Sequence, residues 1–125
     1  MPNYKHDRTA EDIRRELTAL LREMKDPRIT SSMLTIVFVE LASDLSYAKV
    51  YVSSMDGIDA AKTAVKALTG ATGYFRRELS DRLHIRKAPE LKFIADDRVE
   101  KTMDLFAKMA RLREEYTDTE SENED

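Results

Sequence analysis

Residues 71–91, ATGYFRRELSDRLHIRKAPEL, carry the most informative pattern in the chain. Apolar side chains recur at Phe75, Leu79 and Leu83, and this spacing predicts a helix over about 74–83. Before it, positions 70–73 read GATG, small residues that let a backbone turn sharply or approach another molecule closely. Pro89 bounds a strand predicted over 91–95. The stretch therefore predicts the second half of a kinked helix pair, followed by a strand.

Five cations lie in the same stretch. They are Arg76, Arg77, Arg82, Arg86 and Lys87. Only three acidic residues lie between positions 76 and 90, so a neutral salt-bridged face explains the cluster poorly. A helix that starts with unpaired backbone N–H groups and continues in arginine suits phosphate. We therefore expect RNA contact at Ala71, Thr72 and Gly73 of the kink and at these five cations.

The residues before the kink predict a helix, a hairpin and a second helix. Thr9 and Asp12 resemble a capping box at the start of helix one, and Asp26-Pro27 ends that helix, with a loop over 28–33. Strands over 34–41 and 47–52 flank a short polar turn, which predicts an antiparallel pair. A second helix is predicted over 58–68. The apolar stripes of the two helices are Ile13, Leu17, Leu20, Leu21 and Met24, then Ile58, Ala61, Val65 and Leu68.

A last helix is predicted over 98–116, with Asp96 and Asp97 as capping residues. Its apolar stripe includes Val99, Met103 and Phe106, continued by Met109 or Ala110, and we interpret the two methionines as core filler. The predicted order is α-β-β-α-kink-α-β-α. This order predicts an α+β domain with a three-stranded sheet and helices packed on one face.

Composition limits the classes of protein that fit. A chain of 125 residues predicts one domain, the absence of cysteine fits a reducing compartment, and the longest apolar run, at 36–39, is too short for a membrane span. The chain starts without an apolar signal core, so we expect a cytoplasmic protein without membrane contact.

Residues 114–125 hold seven acids and no base, which leaves 21 bases against 17 acids in residues 1–113. We therefore divide the chain into a basic domain at 1–113 and an acidic, disordered tail at 114–125.

Catalytic chemistry has little support in the sequence. Only two histidines occur, His6 in a frayed start and His84 at a helix end, and neither has an evident partner for nucleophilic catalysis. Asp96 and Asp97 are too few for a metal site, and the GATG run matches no nucleotide-binding fingerprint. We expect no catalytic residue, no metal, no cofactor and no small-molecule substrate.

A second hypothesis is that the chain is a protein-interaction adaptor. Tyr47 and Tyr51 lie on the open face of the second predicted strand, where they could cover the surface or form a stacking platform. An adaptor would use these tyrosines or a strand edge and touch RNA only incidentally. Its binding would depend weakly on salt, whereas RNA binding falls steeply as salt rises.

Four pieces of the chain together resemble the ribosome-binding factor A family over about 13–106. These are IRREL at 13–17 with DPRI at 26–29, DLSYAKVYVS at 44–53, the Ala71-Thr72-Gly73 kink, and the run from Arg76 through Arg82 and Arg86 to PEL at 89–91, followed by Phe93. The resemblance implies a KH-like fold of type II, with Ala-Thr-Gly in place of the GXXG loop of ordinary KH domains. It also implies a monomer that binds the immature small (30S) ribosomal subunit through 16S rRNA. The family's role is in late maturation and processing of the 16S precursor, often linked to growth in the cold, and no catalytic residue is known in it.

Overall fold

The computed structural model describes the chain from residue 4 to residue 123, with side-chain surroundings for residues 6–98 and 101–116. The elements are α1 (Tyr4–Glu23), α2 (Pro27–Thr30), β1 (Leu34–Leu41), β2 (Tyr47–Ser54), α3 (Ile58–Gly70), α4 (Thr72–Leu83), β3 (Glu90–Ala95) and α5 (Arg98–Asn123). This order confirms the predicted one and adds the short helix α2. None of these helices is long and apolar enough to cross a membrane.

The sheet has the strand order β1-β2-β3. β1 and β2 are antiparallel, as predicted, and β3 joins β2 in parallel. Ala48, Val50 and Val52 of β2 are fully buried, so the central strand turns its apolar face to the core. A bulge between Ile36 and Phe38 interrupts the alternation in β1 and leaves Phe38 exposed on the other face.

The core lies between one face of the sheet and three helices. α1 contributes the buried Ile13, Leu17 and Leu20, which confirms the predicted stripe. α3 packs with small residues, because Ala61, Ala64 and Ala67 are buried, while Val65 is only partly buried. The predicted packing of helices on one face is therefore correct for α1, α3 and α4.

Three predictions about the first 33 residues are wrong. α1 begins at Tyr4, so Thr9 lies inside the helix and cannot start a capping box. His6 is not in a frayed start, because its Nε2–H donates to the Leu41 carbonyl at 2.6 Å and holds the first turns against β1. The predicted loop over 28–33 contains α2, which Asp26 caps and in which Pro27 takes the first position.

The last helix, α5, also departs from the prediction. Met103, Phe106 and Met109 are all exposed, so the interpretation of the methionines as core filler is wrong. Helical spacing marks an apolar side, but it does not show that anything covers that side. The predicted stripe member Val99 lies outside the described side chains. α5 runs through positions 113 and 114 to Asn123, so it does not end at the proposed division between domain and tail, which stays a prediction.

Candidate nucleic-acid interface

The predicted kink is a break of a single residue. α3 ends at Gly70, α4 begins at Thr72, and Ala71 between them has φ −107° and ψ 12°. α4, the second helix of the kinked pair, therefore starts two residues before the predicted position 74. No side chain caps the N-terminus of α4, and the Thr72 hydroxyl donates back to the Thr69 carbonyl at 3.2 Å. No capping side chain therefore covers the first backbone N–H groups of α4.

Neither kink glycine is required by the fold around it. A Cβ atom added at Gly70 or Gly73 would meet no heavy atom within 4 Å, and neither residue has positive φ. Gly57 differs, since its φ of 103° at the start of α3 favours glycine. Gly70 is the last residue of α3 and Gly73 the second residue of α4, and glycine loses more backbone freedom on folding than alanine does. Packing within the described residues therefore does not explain why glycine occupies positions 70 and 73. Both glycines leave the surface at the kink uncovered.

Arg77 faces away from the core. Phe75, two residues earlier, is fully buried and packs on Phe93 of β3, with ring centroids 5.5 Å apart. This contact fixes the rotation of α4 about its own axis. Arg77 is two positions further on, on the opposite side of the helix, and it is exposed. Gly73 lies four residues before Arg77, so the glycine and the guanidinium share one exposed face of α4.

Arg76 connects α4 to the segment before β3. Its Nη2 donates to the Ala88 carbonyl at 3.1 Å, although 12 residues separate the two. Its Nε atom is buried and has no hydrogen-bond partner in the described part of the chain. The bond brings residues 86–88 back beside α4, where Ala88 is buried while Arg86 and Lys87 are exposed. Arg76 therefore ties the segment that carries Arg86 and Lys87 to α4, through one of its guanidinium nitrogens.

Arg82 is set apart from this group. Its guanidinium lies 3.6 Å from Glu16, 2.9 Å from Glu23 and 3.3 Å from Glu78, and its side chain is 29% exposed. Three carboxylates around one cation make the local charge negative, so a phosphate would have to compete with them. By contrast, Arg77, Arg86 and Lys87 have no hydrogen bond or ion pair with the side chains described in 6–98 and 101–116. We name the kink residues 70–73 with these three cations the kink face.

The two strand tyrosines do not form one platform. The Tyr51 hydroxyl donates to Glu40 at 3.1 Å, and the Arg98 guanidinium lies 5.1 Å from its ring centroid. Tyr47 is exposed, but it lies four residues away along β2, about 13 Å at the usual rise per residue. Tyr51 is therefore engaged within the fold, whereas Tyr47 has no ring contact or side-chain hydrogen bond among the described residues.

Sequence reasoning missed the role of Arg98. Asp96 accepts hydrogen bonds from the backbone N–H of Arg98 at 2.7 Å and from its Nε at 2.6 Å, so the predicted capping by Asp96 is confirmed. The Arg98 side chain holds the pKa of the buried Asp96 carboxyl below its usual value. Arg98 also lies 5.9 Å from the Phe38 ring, which covers part of the open sheet face. No local pattern in the sequence indicates that contact.

Other candidate sites are sparse among the described residues. No group of three or more His, Cys, Asp or Glu side chains within that part of the chain could hold a metal ion. His84 is exposed at the end of α4 in the left-handed region, with φ 54°, which agrees with the expected position at a helix end.

Comparisons with known proteins agree with this architecture. Residues 5–109 match the family model described as ribosome-binding factor A. A ribosome-binding factor A from Treponema denticola is 40% identical over 124 residues, which cover 98% of this chain and 92% of that protein. The crystal structure of the Thermus thermophilus factor aligns with a TM-score of 0.64 at 27% identity, over 72% of this chain and 93% of that one.

A homology model of the Thermus thermophilus factor, fitted into a cryo-EM map of a complex between the 30S subunit and ribosome-binding factor A, aligns with a TM-score of 0.59 at 27% identity. It covers 70% of this chain and 91% of that one. These neighbours share the KH-like α+β fold, which confirms the predicted fold class. The chain belongs to the ribosome-binding factor A family.

Proposed function

We propose that this protein binds the immature 30S ribosomal subunit through 16S rRNA and assists late maturation and processing of the 16S precursor. It acts in the cytoplasm as one copy per subunit, without a cofactor and without catalysing a reaction itself. Family membership supports ribosome binding, and the Thermus thermophilus relative was fitted in a complex with the 30S subunit. The kink face supports RNA as the surface that is bound.

The observation that carries this proposal is the exposure of three cations that have no partner among the described side chains, on α4 and on the segment tied to it, together with the uncapped N-terminus of α4. Arg77, Arg86 and Lys87 are free to neutralise phosphates, which is the main source of affinity in most RNA binding. The bare surface at Gly70 and Gly73 admits an RNA backbone close to the amides of α4. Such contacts set position rather than base sequence, so the shape of the folded rRNA supplies the specificity.

An assembly factor of this kind works through differential affinity. A protein shifts an RNA between two conformations only by binding one of them more tightly. We therefore expect tighter binding to precursor subunits than to mature ones. The factor stabilises the precursor form while processing proceeds and leaves when the mature form no longer presents its site.

Co-sedimentation with precursor and mature 30S subunits over a salt series tests the proposal. We expect binding to the precursor to fall steeply with salt, with a slope of about −2 to −3 in log affinity against log salt for three phosphate contacts. A slope near zero would favour the adaptor reading, in which Tyr47 or a strand edge contacts a protein. Equal affinity for precursor and mature subunits would contradict the maturation role.

A further inference from the structure

RNA binding leaves the exposed apolar side of α5 unexplained. Leu105, Met109, Leu112 and Tyr116 are 56%, 50%, 64% and 67% exposed, and they follow one another at spacings of four, three and four residues. This spacing puts all four on one side of the helix, which we name the α5 seam. An apolar stripe of this size in water favours a partner that covers it.

The order of the four residues is symmetric. The midpoint of the seam lies between positions 110 and 111, which is also the midpoint of α5. In an antiparallel pair of two copies, Met109 lies opposite Leu112 of the other copy, and Leu105 lies opposite Tyr116. One surface thus complements itself about a two-fold axis, as an isologous interface requires.

Charge along α5 favours the same arrangement. Residues 98–113 hold five bases and two acids, whereas residues 114–123, the rest of α5, hold five acids and no base. This order opposes the helix dipole, which prefers acids near the N-terminus and bases near the C-terminus. An antiparallel second copy places each acidic end beside the basic half of its partner, whereas a parallel copy places like charges side by side.

We propose that the free protein pairs reversibly with a second copy through antiparallel contact of the α5 seams. The open sheet face is a weaker candidate to cover the seam, because Arg98 already lies over Phe38 and Tyr51 there. The seam spans only about two heptads, so the pair is weak and the monomer is the form that meets the subunit. The proposal does not depend on RNA binding.

Sedimentation equilibrium of the full chain over about 5 to 500 µM tests the pairing. We expect a reversible monomer–dimer equilibrium in this range. Leu112→Glu, in the middle of the seam, should remove the dimer at every concentration. Met103→Glu is a matched control, because Met103 is also exposed on α5 but lies two residues from Leu105, on the other side of the helix. A monomeric wild type, or a dimer that survives Leu112→Glu, overturns the proposal.

Cysteine variants test the direction of the pair, since the chain contains no cysteine. Protein with Met109→Cys is mixed with protein with Leu112→Cys, one of them mass-tagged, and oxidised. The antiparallel pair yields mainly the mixed disulfide dimer, because positions 109 and 112 lie opposite each other. Mainly unmixed dimers in both populations would show parallel pairing and would overturn the proposal.

Discussion

Arg82 Nη2 lies 2.9 Å from the carboxylate of Glu23, although 59 residues separate the two in sequence. The contact joins the last turn of α4 to the last residue of α1. It divides the basic run that the sequence presents as continuous, because Arg82 serves the fold and Arg77 remains available to a partner. The predictions below rest on this division between structural and free cations.

Replacing Arg82 with glutamine should destabilise the protein. The change leaves Glu16, Glu23 and Glu78 close together without their shared cation, and we expect a lower free energy of unfolding. Urea denaturation measures the change. Arg77→Gln is the matched control and should alter stability by less than about 0.5 kcal/mol. Equal stability of the two variants would show that the carboxylate cluster contributes nothing.

Reversing the three free cations should abolish subunit binding without unfolding the protein. The variant Arg77→Glu, Arg86→Glu, Lys87→Glu removes up to three phosphate contacts and adds repulsion, so its co-sedimentation with precursor subunits should be lost at moderate salt. The unfolding midpoint should stay close to that of the wild type, because these side chains have no partner among the described residues.

A charge-matched control for that variant is Lys101→Glu, Lys108→Glu, Arg111→Glu on α5. It changes the net charge equally but leaves the kink face intact, and these side chains are exposed. Its binding should exceed that of the kink-face variant by at least about tenfold at equal salt. If both variants lose binding to the same extent, total charge rather than the kink face determines affinity.

Alanine at Gly70 and Gly73 should change stability and binding in opposite directions. The added methyl groups meet open space and alanine favours helix, so each change should stabilise the fold by about 0.5–1 kcal/mol. The same methyl groups lie where an RNA backbone would approach, so affinity for precursor subunits should fall. Gly57→Ala provides the contrast and should destabilise, because φ at Gly57 is 103°. Undiminished binding of the stabilised variants would remove the glycines from the interface.

The Asp96–Arg98 pair should make part of the stability depend on acid pH. The pKa of Asp96 is lowered from 3.8 by the hydrogen bond from Arg98, so the pair stabilises the fold above the pKa of the unfolded chain. That contribution is lost as pH falls below about 4, through the folded-state pKa. Asp96→Asn should therefore cost about 1 kcal/mol at pH 7, and the difference from wild type should shrink towards zero near pH 2. A difference that stays constant from pH 7 to pH 2 would contradict this origin.

Most of the fold follows from local pattern. The alternation at Ala48, Val50 and Val52, the helical spacing of Ile13 and Leu17, and the small residues at 70–73 each predict an element from its own neighbours. The kink residues were expected at the surface that meets RNA; Gly70 and Gly73 are exposed, whereas Ala71 is partly buried against the core and Thr72 is half-buried. The limits of α1 were less predictable, because the hydrogen bond between His6 and Leu41 joins residues 35 positions apart.

The sequence by itself determined the elements other than α2, the buried faces of α1 and β2, and the excess of cations after the kink, because hydrophobic period and composition are properties of short segments. Tertiary structure alone decided which cations are free. Arg82 meets carboxylates supplied by α1, and Arg76 meets a carbonyl supplied by the segment before β3. It also decided that the apolar side of α5 faces no part of the described fold. Ion pairs and burial depend on residues brought together from distant positions, and the spacing of neighbouring residues does not identify those partners.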